Sequence, residues 1–96
     1  MDIKMLNKYT TEIYLGNEKS LELLLVDIDN IIESSAQMIY PEVKDKILYG
    51  FDDIKQEIIM KLWLYLISYK VAFANCKKVT QYIMNIAEEV LEETRG

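Results

Sequence analysis

The sequence predicts an all-α domain of four helices, and three observations carry that expectation. Apolar residues make up 51% of the chain, which excludes a disordered one. Only 3 glycines and 1 proline interrupt it, too few breaks for a strand-rich fold. Those apolar residues also recur at helical spacing, in stripes that must be buried against one another. At 96 residues the chain fits one domain with one modest core, because a domain this small buries only about 60 to 65% of the surface its unfolded chain exposes.

The first helix is expected from Asp2 to Leu15, with Ile3, Leu6, Tyr9 or Thr10, Ile13 and Tyr14 at helical spacing and Gly16 as a C-terminal cap. Asn17 or Ser20 opens a second helix that runs to about Tyr40. Its broad apolar face is Leu21, Leu24, Leu25, Ile28, Ile31, Ile32, Ser35 and Ile39. Pro41 is expected to end it, since proline lacks a backbone donor and pushes the residue before it out of helical geometry. A loop of sequence PEVKDKILYG follows, closed by Gly50.

A third helix is expected from about Asp52 to Tyr69, its stripe being Ile54, Ile58, Leu62, Leu66 and Ile67, widened by Ile59 and Trp63. Asp53 and Gln56 suit a capping box, Phe51 a hydrophobic staple onto the first turn, and the acidic start complements the helix dipole. After the link VAFAN, Asn75 caps a fourth helix with Val79, Tyr82, Ile83, Ile86, Val90 and Leu91 on one side. Helices two, three and four are expected to pack around Leu24, Ile28, Ile32, Ile54, Ile58, Leu62, Leu66, Ile83 and Ile86. No internal repeat or low-complexity tract divides the chain.

The single cysteine, Cys76, gives no reason to expect an oxidising compartment. The segment MDIKMLNKYTTEIY lacks the continuous apolar block of a signal peptide, and no apolar run approaches the length of a membrane span. The expectation is a cytoplasmic protein with no membrane association. Histidine is absent, as are a cysteine pair and a glycine-rich phosphate loop, so the common nucleophile and metal constellations are missing and neither enzyme activity nor a cofactor or metal is expected. Paired carboxylates at Asp27 and Asp29, Asp52 and Asp53, Glu88 and Glu89, and Glu92 and Glu93 read as solvated faces or caps rather than acid/base pairs.

One stretch, FDDIKQEIIMKLW at residues 51–63, holds more polar groups than a cap requires: Asp53, Lys55, Gln56 and Glu57 all stand on the first turns. Read in order, the chain resembles region 2 of the sigma-70 family of bacterial RNA polymerase initiation factors. YLGNEKSLELLLVDIDNIIESSAQMIY looks like that region's opening. The pattern Asp, aliphatic, any residue, Gln, Glu of its most characteristic helix matches Asp53, Ile54, Lys55, Gln56 and Glu57. VTQYIMNIAEEVLEETRG resembles the helix after it through Tyr82, Ile86, Ala87 and Arg95. The similarity covers about residues 10 to 95, and its most specific part is five residues long.

The resemblance implies a compact four-helix domain whose polar helix docks on the coiled coil of the polymerase beta-prime subunit. Asp53, Gln56 and Glu57 would make that contact, while Ile58, Leu62 and Trp63 would be core. In the family, basic and aromatic residues of the last helix and of the segment before it melt promoter DNA and read the minus-ten element. Tyr69, Lys70, Phe73, Lys77, Lys78 and Tyr82 are what this chain offers there, for stacking on bases and holding phosphates. The chain departs from the pattern beyond them. From Cys76 onward three basic residues face four acidic ones, Glu88, Glu89, Glu92 and Glu93, and the whole chain carries a net charge of -5. No helix-turn-helix for the minus-35 element follows.

Promoter DNA is therefore expected to bind only weakly or with a partner subunit, and the chain to act as a partial sigma or a fragment of one. Two alternatives stay open: a regulatory interaction module, of phage or mobile-element type, that docks on polymerase without recognising promoter DNA, and a helical interaction domain, such as a homodimer, whose resemblance is coincidental.

Overall fold

A computed structural model describes residues 2–45 and 50–95. Four helices run through them, α1 (Ile3–Tyr14), α2 (Lys19–Val43), α3 (Phe51–Ser68) and α4 (Cys76–Arg95), and no strand occurs among the described residues. The all-α expectation holds.

Local chemistry sets most of the boundaries. Asp2 caps α1, its carboxylate accepting from the Lys4 N–H at 2.9 Å and the Met5 N–H at 3.5 Å. Gly16 stops it with φ +102°, the left-handed geometry that glycine adopts without strain, and the N–H groups of Gly16 and Asn17 donate to the carbonyls of Ile13 and Glu12. Asn17 then accepts from the Lys19 N–H at 3.1 Å at the mouth of α2. Ser20, by contrast, is buried within the first turn and donates to Glu12 of α1 at 3.0 Å.

Pro41 does not end α2. The helix continues through it to Val43, which is fully buried, and the Lys44 N–H still reaches the Tyr40 carbonyl at 2.9 Å. Proline removes one bond, to the carbonyl of Gln37. Both residues are exposed, so water can satisfy that carbonyl, while burial of Ile39 and Val43 holds the last turn in place. Of the loop expected after Pro41, residues 41–43 are therefore helical, and 46–49 lie outside the described residues.

α3 starts one residue earlier than expected, and its capping box shifts with it. The partner of Asp53 is Gly50, not Gln56. The Gly50 N–H donates to the Asp53 carboxylate at 3.0 Å and the Asp53 N–H donates to the Gly50 carbonyl at 3.1 Å. Phe51, expected to staple onto its own helix, packs edge-on against Tyr40 of α2 instead, the ring centroids 5.7 Å apart. Asn75 caps α4 as expected, accepting from the Lys78 N–H at 3.0 Å.

All nine residues expected at the centre are buried, and α1 adds Leu6, Thr10 and Ile13. α2 touches each of the other three helices, so the core is built around it. Ile67 is a correction: it was expected in the α3 stripe and is 41% exposed, one position beyond where Leu66 turns the stripe inward. Trp63 is half-buried against the core rather than within it. No helix among the described residues is long and apolar enough to cross a membrane.

Candidate functional site: the outer face of α3 and the link to α4

Two surfaces collect the residues that the sequence singles out. The first is the start of α3. Asp52, Asp53, Gln56 and Glu57 are all exposed, on the side opposite the buried stripe of Ile54, Ile58, Leu62 and Leu66. Their roles differ. Asp53 is spent on the cap, whereas the side chains of Gln56 and Glu57 have no hydrogen-bond or ion-pair partner among the described residues. Lys55 does not belong to this surface. It is half-buried and turns to α2, with Nζ 3.5 Å from the Asp29 carboxylate. What remains outward is acidic, and among the described residues no cation pairs with it.

The second surface is the link at residues 69–75 with the start of α4. Lys70, Phe73, Lys78 and Tyr82 line one open concavity of about 540 Å³, together with Gln81 and Asn85. The structure thus brings four of the six residues considered for nucleic acid to one place. Tyr69 and Lys77 are exposed but outside it. Phe73 is 8% exposed, its ring edge-on to Tyr82 at 5.4 Å. So buried, it supports the concavity and offers little surface on which a base could stack. Tyr82 is half-buried, and burial, followed by the charges of Tyr65 and Glu89, raises its hydroxyl pKa above the usual tyrosine value.

The link is held by two polar residues of α1. Asn7 on α1 makes a pair of hydrogen bonds to Phe73, accepting from its N–H at 2.8 Å and donating to its carbonyl at 2.9 Å. Thr10, fully buried, donates to the Val71 carbonyl at 2.7 Å. An extended segment without ladder partners needs such side chains to satisfy its backbone. The signal in the sequence was Thr10 itself, a polar residue on the apolar side of α1, together with Asn7 next to Leu6.

Lys61 and Arg95 are engaged with carboxylates. Lys61 on α3 reaches Glu93 at 2.5 Å and Glu89 at 3.8 Å on α4, and the Tyr65 hydroxyl donates to Glu89. The Glu93 hydrogen bond is the main cause that raises the Lys61 pKa, and the Glu89 hydrogen bond the main cause that raises that of Tyr65. Arg95 reaches back to Glu42 of α2 at 2.5 Å and to Glu92 at 3.7 Å. It is the closing arginine of the sigma-like pattern, and here it ties α4 to α2. Among the described residues no group of three or more acidic or cysteine side chains is placed to hold a metal ion.

No protein family, curated protein or solved structure matches the chain.

Proposed function

We propose that this chain is a helical docking module of the transcription machinery: a sigma region 2-like domain that binds the coiled coil of the bacterial RNA polymerase beta-prime subunit through Asp53, Gln56 and Glu57, and takes part in promoter-directed initiation as a partial sigma or fragment. The observation that carries the reading is the state of Gln56 and Glu57. They are exposed at the start of a well-capped helix, and among the described residues no hydrogen bond or ion pair uses their side chains. Polar groups that neither cap nor pair are available to a partner, and their order along the helix is the order of the sigma-like pattern.

A pull-down with purified core RNA polymerase tests this. Wild-type protein is retained, and Glu57→Lys, a charge reversal at an exposed position, weakens retention while the helical circular dichroism signal stays unchanged. Failure of core polymerase to retain the wild type overturns the reading, and equal retention of the variant overturns the site.

A second reading, the regulatory module that docks on polymerase without recognising promoter DNA, is favoured by the α4 surface. Phe73 is buried, Arg95 is paired, and Glu88, Glu89, Glu92 and Glu93 flank the link concavity through Asn85, which lines both. Transcription from a supercoiled promoter template with core polymerase separates the two. Template-dependent initiation supports the partial sigma, and inhibition or no effect supports the regulator.

A further inference from the structure

The outer face of α3 continues well past its acidic start. Asp53, Glu57, Met60, Leu64 and Ile67 succeed one another at intervals of four, three, four and three residues. That alternation averages 3.5 and is the spacing of a coiled-coil seam, in which each side chain fits between those of a facing helix. All five are exposed, Met60 at 53%, Leu64 at 51% and Ile67 at 41%. Since α3 already buries Ile54, Ile58, Leu62 and Leu66 on its other side, this apolar half-seam is surplus to the fold.

We propose that this face seats a single helix from a different protein, one that carries aliphatic residues along one half and basic residues along the other. The proposal rests on the reading of α3 as a docking surface and specifies what docks. The reason lies in charge. Asp53 and Glu57 hold one end of the seam, with Asp52 and Gln56 beside them, while the two lysines of α3 itself are drawn off, Lys55 to Asp29 and Lys61 to Glu89 and Glu93. A second copy of this chain fits poorly. Parallel pairing of two α3 helices sets carboxylates against carboxylates, and antiparallel pairing sets them against Leu64 and Ile67, where they lose water and gain no partner. A helix with arginine or lysine opposite Asp53 and Glu57, and leucine-like residues opposite Met60, Leu64 and Ile67, resolves both problems. The seam spans about 21 Å at 1.5 Å per residue, so about four turns of partner helix cover it.

Stapled helical peptides of about 18 residues test the seam. They place leucine at four-three spacing over one half and arginine over the other, in both chain orders, with a third peptide carrying glutamate for arginine. Anisotropy titration against the full chain is expected to show binding of one arginine order and none of the glutamate peptide. Leu64→Lys should reduce the affinity about tenfold or more, and Glu57→Lys should remove most of its salt dependence. Both positions are exposed, and an unchanged helical circular dichroism signal and melting temperature confirm that the variants fold. Three results overturn the proposal: no binding of either arginine order, equal binding by Leu64→Lys, or a concentration-dependent dimer of the wild type that Leu64→Lys abolishes. Capture on core polymerase separates this proposal from the broader one. Equal capture of the wild type and Leu64→Lys overturns the seam and leaves the acidic start as the polymerase site. Peptide binding without any polymerase capture supports the seam and overturns polymerase as the partner.

Discussion

Asn7 is a half-buried side chain that completes the backbone of a segment 66 residues away, through hydrogen bonds on both sides of Phe73. Asn7→Ala leaves a donor and an acceptor of the link without a protein partner, at a cost of about 1–3 kcal/mol. The urea midpoint should fall accordingly with an unchanged slope. A shift below about 0.5 kcal/mol would mean that water replaces the amide fully. Tyr65 gives a second test at this scale. Its pKa is raised in the folded chain, chiefly because its hydroxyl donates to Glu89, and that of Lys61 is raised by Glu93. Both groups therefore hold their protons more tightly when folded. The stability they add is present below their ordinary values of 10.0 and 10.5 and is lost as pH rises through the raised ones. Stability should decline above about pH 10 in the wild type and decline less in Tyr65→Phe, which has no phenol to ionise. Parallel curves for the two proteins in alkaline denaturation would rule this out.

At the scale of the element, α2 and α3 show opposite uses of local chemistry. Pro41 sits in the last turn of α2 although its ring and missing donor disfavour helix, because buried Ile39 and Val43 secure the turn on either side of it. Pro41→Ala restores a donor to the Gln37 carbonyl and frees the preceding turn, which outweighs the entropy that alanine returns to the unfolded chain. The variant should gain about 1 kcal/mol, and a lower melting temperature would show that proline rigidity dominates. In α3 the first turn depends on Asp53. Asp53→Ala forfeits the Gly50 N–H and a favourable dipole contact, for a loss of about 0.5–1 kcal/mol. Helix and proposed docking surface share this residue, and that is why Glu57, whose side chain has no hydrogen-bond or ion-pair partner among the described residues, is the cleaner probe of binding.

For the molecule as a whole, one core centred on α2 and one charge balance set the limits. Ile28 and Ile58 are each 1% exposed or less, and Ile28→Ala or Ile58→Ala should cost about 2–5 kcal/mol, a large part of the stability of a domain this size. Nucleic acid binding is limited by charge. Lys70 and Lys78 line the link concavity, against a net -5 for the chain, with Arg95 and Lys61 held by carboxylates. Two phosphate contacts on a single strand give a log–log salt slope of about 1.4 at about 0.7 per contact. Anisotropy with a single-stranded minus-ten-like oligonucleotide should therefore show weak binding that vanishes at moderate salt. Submicromolar, sequence-dependent binding at physiological salt would mean that the concavity reads DNA unaided.

The sequence by itself determined the helices, their caps at Gly16 and Asn75, and the nine central core positions, because these follow from local geometry and from a periodicity that water enforces along each helix separately. It also drew attention to Asp53, Lys55, Gln56 and Glu57, since an excess of polar groups over capping need is visible in one dimension, and the sigma-like resemblance chose Asp53, Gln56 and Glu57 among them. The tertiary structure alone decided what depends on two elements at once. Pro41 stays helical because burial at Val43 outweighs the local preference, and Phe73 is buried, its ring against Tyr82 of α4, where little of it is left for a base. Lys55, Lys61 and Arg95 become unavailable to a partner because carboxylates on neighbouring helices take them. Only the packing shows that Met60, Leu64 and Ile67 are left outside: the other three helices cover one side of α3, and the same apolar residues would read as core if a fifth helix lay over them.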